Sequence, residues 1–168
     1  MADTTDGGNT QGANPAAGAP QNELQARVLG QYIKDLSFEN PNVRKLIGNP
    51  GEKPNLRVEV NVSVDKMADK VFESSINFKA EATNNTGMIY DLELAYAGLF
   101  QIESMPEQML EPFLLVNCPA LLFPYLRRLV ADITREGGFP PLTLDPIDFA
   151  SLYLQRQREK AAQPAKPN

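Results

Sequence analysis

Two pairs of carboxylates recur with strand spacing: Asp35 with Glu39, and Asp91 with Glu93. Side chains two or four positions apart on an extended strand point the same way. If the two segments are neighbours, all four acids share one surface. Paired carboxylates can work as general acid and base, but they do so in clefts that drive their pKa values apart. These acids instead belong to an open, alternating face, and alternating acids also occur on ordinary solvated sheets. The single thiol, Cys118, cannot form an intramolecular disulfide. Placed between Asn117 and Pro119 ahead of an apolar run, it reads as a small buried hydrophobe and not a nucleophile. Histidine is absent altogether. That removes the usual general base, the Ser-His and Cys-His pairs and the commonest zinc ligand. No catalytic residue, metal or cofactor is therefore expected.

The charge balance points to a binding partner. With 21 acidic against 16 basic residues the net charge is -5, which argues against sequence-independent nucleic-acid binding and suits a basic polypeptide.

The elements that must position these groups alternate first with period two. Leu56, Val58, Val60, Val62 and Val64 oppose Arg57, Glu59, Asn61 and Ser63. Phe72, Ile76, Phe78, Ala80 and Ala82 oppose Glu73, Ser75, Asn77, Lys79 and Glu81, ending in the turn signature Asn84-Asn85-Thr86-Gly87. The next run places Met88, Tyr90, Leu92, Leu94, Tyr96 and Phe100 inside, with Asp91 and Glu93 outside. An earlier strand sets Tyr32, Leu36 and Phe38 against Asp35 and Glu39. Four antiparallel strands result. The second half turns helical: a short helix over about 106–116, and a long one with Leu122, Leu126, Leu129 and Ile133 opposite Arg127, Arg128, Asp132 and Arg135, closed by Gly137-Gly138. A last helix is predicted from Asp145-Pro146 through Phe149, Leu152 and Tyr153. Strands followed by helices mean an α+β fold, with the helices packed on one face of the sheet.

Residues 1–21 are too poor in apolar side chains to offset the entropy of ordering. The expected organisation is a disordered tail over 1–23, a folded domain over 24–155 and a flexible tail over 156–168. Met1 to Gln21 has neither a basic cluster nor an apolar run, so no signal peptide and a cytoplasmic location are expected. No uninterrupted apolar run approaches the roughly 18–20 residues of a membrane helix. Between two strands, residues 40–54 form a connection far longer than a hairpin loop, rich in Pro and Gly yet carrying Val43, Leu46 and Ile47. It either folds back over the core edge or walls a binding groove.

Cys118-Pro-Ala-Leu-Leu-Phe-Pro-Tyr-Leu-Arg127 and Gly138-Phe-Pro-Pro-Leu-Thr-Leu-Asp-Pro-Ile-Asp-Phe149 resemble two signature stretches of the SecB family of export chaperones, as does Tyr-Ile-Lys-Asp-Leu-Ser-Phe-Glu at 32–39. The resemblance runs from about Gln31 to Leu154. It implies a homotetramer, a dimer of dimers, without enzymatic activity, that holds unfolded precursor proteins and delivers them to the SecA ATPase. It implies that Asp35, Glu39 and Glu93 receive the basic, zinc-containing C-terminal tail of SecA. Asp91 departs from the pattern, which more commonly has an apolar residue there; the extra acid adds attraction and loses an apolar contact. Arg156, Arg158 and Lys160 make the C-terminal segment basic where some relatives are acidic, a departure at its accessory SecA contact. Direct insertion into a membrane and nucleic-acid binding are not implied.

An unfolded client offers extended backbone and scattered apolar side chains, which call for a long groove with aromatic lining. The candidate lining residues are Leu46 and Ile47 on the loop, with Phe72, Tyr90, Leu92, Leu94 and Tyr96 on strands. Two rival readings stand beside this one: the same fold serving a toxin–antitoxin pair, and a small-molecule enzyme using carboxylates such as Asp35 and Glu93.

Overall fold

The computed structural model describes residues 25–48 and 52–162; the tail expected over 1–23, and residues 163–168 of the C-terminal one, lie outside that range. Four antiparallel strands, β1 (Gln25–Glu39), β2 (Asn55–Ala68), β3 (Val71–Asn84) and β4 (Gly87–Ser104), form one sheet in the order β1-β4-β3-β2. β2, β3 and β4 follow one another through tight turns. In the second of these, Asn84 Oδ1 accepts the Thr86 N–H at 2.9 Å, and Gly87 takes the positive φ (117°) that a residue with a Cβ resists.

β1 pairs with the far side of β4, so β1 and β2 occupy opposite edges. The connection between them must cross three strand spacings, about 14 Å. That span explains the length of 40–54. It is not all loop, since Val43–Leu46 form a short helix, α1. Asn42 Nδ2 donates to Met88 O at 2.9 Å, fastening the crossover to the hairpin end of the sheet.

The helices cover the inner face. Glu107 to Glu136 is one continuous helical run and not the two separate helices expected: α2 (Glu107–Pro112), a π-helical turn (Phe113–Asn117) and α3 (Cys118–Glu136). Pro119, at the start of α3, has no N–H to donate and its ring crowds the carbonyl four residues back, that of Leu115 inside the π-helical turn. By length and mean hydropathy (1.4 in its most apolar window) this run matches a membrane helix. Here its apolar side lies on the sheet, with Leu122, Leu126 and Val130 fully buried. Gly98 permits the close approach, since a Cβ there would stand 2.9 Å from Leu122 Cδ2.

The last helix, α4, begins at Phe149 and not at Asp145-Pro146. Asp148 is the residue that binds the first turn, accepting the Ser151 N–H at 3.0 Å and the Ser151 hydroxyl at 2.7 Å. The helix continues to Ala162, so 156–162 is ordered helix where a flexible tail was expected. Arg156 reaches from α4 to the outer edge of the sheet, donating to Val62 O at 2.6 Å and to Asn61 Oδ1 at 2.8 Å.

Because α3 lies over β3 and β4, the inner faces of the edge strands are left open. Val28, Ile33 and Leu36 on β1, and Leu56 and Val58 on β2, are exposed. Two bulges change the predicted alternation. A register shift between Ile33 and Asp35 turns Tyr32 to the outer face, opposite Ala97, while Leu36 and Phe38 stay inside opposite Leu94 and Leu92. A second, between Ala82 and Thr83, pairs Met88 with Thr83 and gives Ile89 the buried place expected of Met88.

Candidate functional site

The outer face of the sheet is a lattice of polar rows. Across β1, β4, β3 and β2, one row reads Glu39, Asp91, Glu81, Arg57 and the next reads Ser37, Glu93, Lys79, Glu59. Asp35 follows, opposite Ala95. The neighbouring positions of β1 and β4 thus bring the four predicted acids Asp35, Glu39, Asp91 and Glu93 onto one surface. Asp35, Glu59 and Glu93 rim a shallow depression of about 190 Å³.

One cation sits among these acids. Lys79 Nζ lies 2.6 Å from Glu93 Oε1 and 3.4 Å from Asp91 Oδ2. Hydrogen bonding to Glu93, and then to Asp91, raises its pKa and keeps it charged. Asp91 is the most enclosed of the four acids, and its Oδ1 is buried without a partner.

Beyond this patch the same face closes over a buried carboxylate. Glu73 accepts hydrogen bonds from the Tyr32 hydroxyl, from Lys34 Nζ at 2.5 Å and from Ser75 Oγ at 3.3 Å. Burial pushes the Glu73 carboxyl up, but Lys34, Tyr32 and Ser75 together outweigh it and hold the group below its usual value. The bond to Glu73, then burial, pushes the Tyr32 hydroxyl up to about 12. These bonds tie edge strand β1, just before its bulge at Tyr32 and within it at Lys34, to β3.

The opposite side of the sheet carries a cleft of about 440 Å³ between the crossover and residues 138–142. Leu46, Leu56, Ile89, Tyr90, Phe139 and Leu142 line it, with Pro140 and Pro141 at its wall. Tyr90 packs between Phe38 and Phe139, with ring centroids 5.8 and 5.3 Å apart. Thr134 holds the wall in place: its Oγ1 accepts the Leu142 N–H at 2.9 Å and donates to Val130 O at 2.8 Å. A second groove, about 710 Å³, runs between β2 and helices α2 and α4, with Val62, Phe72, Leu114 and Tyr153 in its lining.

The seven predicted groove residues separate accordingly. Leu46 and Tyr90 line the cleft, and Phe72 lines the second groove. Ile47 is 72% exposed at the cleft mouth, beside Gly138. Leu92, Leu94 and Tyr96 are buried beneath α3 and offer no surface to a ligand in this conformation. The residues missed, Phe139, Pro140 and Pro141, lie in the Phe-Pro-Pro stretch whose pattern had already stood out. Cys118 is buried, and that burial drives its thiol pKa to about 12, too high for a nucleophile.

Among known proteins, residues 19–160 match the family described as preprotein translocase subunit SecB. The chain belongs to the SecB family. It is 47% identical to the protein-export protein SecB of Parvibaculum lavamentivorans (strain DS-1), over 98% of this chain and 99% of that one. It is 45% identical to that of Bradyrhizobium sp. (strain BTAi1), over 94% and 96% respectively. The fold is shared with a SecB-like chaperone of Mycobacterium tuberculosis, Rv1957, solved in complex with a ChAD peptide from the Rv1956 HigA1 antitoxin. That structure gives a TM-score of 0.59 at 20% identity, covering 73% of this chain and 90% of the other. The SecB family is one of chaperones for protein export, and this chain spans nearly the whole of its SecB relatives.

Proposed function

We propose that this SecB-family chaperone acts in the cytoplasm as a homotetramer, a dimer of dimers. In this reading the cleft between the crossover and residues 138–142 holds non-native precursor protein, and the acidic outer face receives the basic, zinc-containing tail of SecA. The observation that carries it is the division of one sheet into two unlike surfaces: a concave apolar cleft on the helical side and the rows of Asp35, Glu39, Asp91 and Glu93 on the other.

A long client touches such a surface through many weak apolar contacts. Repeated over several subunits, these add through effective concentration while each segment still exchanges. Self-association is supported by the exposed Val28, Ile33 and Leu36 on an edge strand, and by Leu121 and Tyr125 on α3. Export clients are favoured over an antitoxin because the protein-export relatives are 45–47% identical, while the antitoxin-bound chaperone is 20% identical. The carboxylates lie on an open face, so the protein is read as a carrier without turnover of its own.

Light scattering joined to a refolding assay tests this. The expected result is a tetramer that slows refolding of an unfolded precursor and ignores the same protein once folded. A monomer without preference for unfolded chains would overturn the reading.

A further inference from the structure

The acidic face supplies its own counter-ion. Lys79 stands in the middle of the sheet, between Glu93 on β4 and Glu59 on β2. Arg57 already engages Glu59 at 2.7 Å. Among the described residues, Lys79 is the only cation within salt-bridge distance of Asp91 or Glu93. Its side chain is 39% exposed on a flexible four-carbon stem and can rotate into water. It also walls the depression rimmed by Asp35, Glu59 and Glu93.

We propose that Lys79 is a resident competitor for the basic partner, occupying the place between Asp91 and Glu93 that an incoming lysine or arginine would take. This rests on the proposed docking of a basic segment to this face. A ligand cation gains full Coulomb attraction only from carboxylates that are not already neutralised. At Asp91 and Glu93 it must displace or share with Lys79. Lys79 therefore offsets the acid that Asp91 adds, and the face binds more weakly, and with less dependence on salt, than its six carboxylates alone would. The single residue sets affinity and tunes release, because Lys79 returns to its partners as the basic segment leaves.

The test is calorimetric titration of the full-length protein with a synthetic zinc-loaded peptide of the basic SecA tail, at about 50 mM and about 500 mM salt. The arms are wild type, Lys79→Met, Lys79→Gln, Lys79→Arg and Glu93→Lys, each checked by thermal melting. Lys79→Met and Lys79→Gln are expected to bind roughly two- to five-fold tighter at low salt, with the gain lost at high salt, while Lys79→Arg keeps wild-type affinity. Equal or weaker binding by both neutral variants, with Glu93→Lys still losing affinity, overturns the competitor role and leaves the docking face intact. Insensitivity to Glu93→Lys overturns the docking face and the competitor with it.

Discussion

The Tyr32 hydroxyl donates to the Glu73 carboxylate across an intervening strand, since β1 and β3 are separated by β4. Tyr32 just precedes the register shift between Ile33 and Asp35, and Lys34, which also donates to Glu73, lies within it, so one buried acid anchors the bulge on the outer face. Glu73→Gln is expected to cost about 1–3 kcal/mol, because Tyr32 and Lys34 lose a charged acceptor. The depressed carboxyl pKa of Glu73 gives the direction with pH. Its stabilisation is complete above the unfolded carboxylate pKa and drains away as pH falls through the lower native value. Urea melts between about pH 7 and pH 3 should show that loss in wild type and a shallower slope in Glu73→Gln.

Charge reversal on the outer face should separate the two surfaces. Asp35→Lys and Glu93→Lys are expected to weaken SecA binding by about tenfold while leaving retention of an unfolded client largely intact. Titration with SecA and a refolding assay on the same samples check this, and parallel loss of both activities would refute the division.

The mouth of the cleft can be altered without touching the core. Ile47 is 72% exposed, so Ile47→Asp should leave the melting temperature nearly unchanged and reduce client affinity by about 1–2 kcal/mol. A competition assay with a fluorescent unfolded protein measures it. Unaltered affinity would remove the crossover from the client surface.

Thr134 supports the cleft from behind. Thr134→Val strands the Leu142 N–H, which now bonds to Thr134 Oγ1 at 2.9 Å, at an expected cost of about 1–3 kcal/mol. Hydrogen exchange should accelerate at Leu142 first, and unchanged protection there would show that the wall is held by other contacts.

Much of this was legible in the chain. Period-two alternation marks all four strands, and spacing puts Asp35 with Glu39 and Asp91 with Glu93 on one side of their strands; only the pairing of β1 with β4 joins the two pairs into one face. What remained hidden is physically specific. A bulge adds one residue without altering hydropathy, so alternation alone places Tyr32 and Met88 on the wrong side. Tyr90 and Leu92 carry the same apolar signal, yet one lines a cleft and the other lies sealed under α3, because coverage depends on where the helix crosses the sheet. Asp145 and Asp148 both precede an apolar turn, and only the hydrogen bonds to Ser151 single out Asp148 as the cap.

Arg156 has a further bearing through its bonds to Val62 O and Asn61. A protein that spends its life beside sticky, half-extended chains runs the hazard of recruiting them onto its own margin and seeding a fibril. An outer carbonyl of β2 already taken by a guanidinium offers no template there for another strand. At that point the arginine leaves no open backbone acceptor on β2 to which an extended chain could stitch itself.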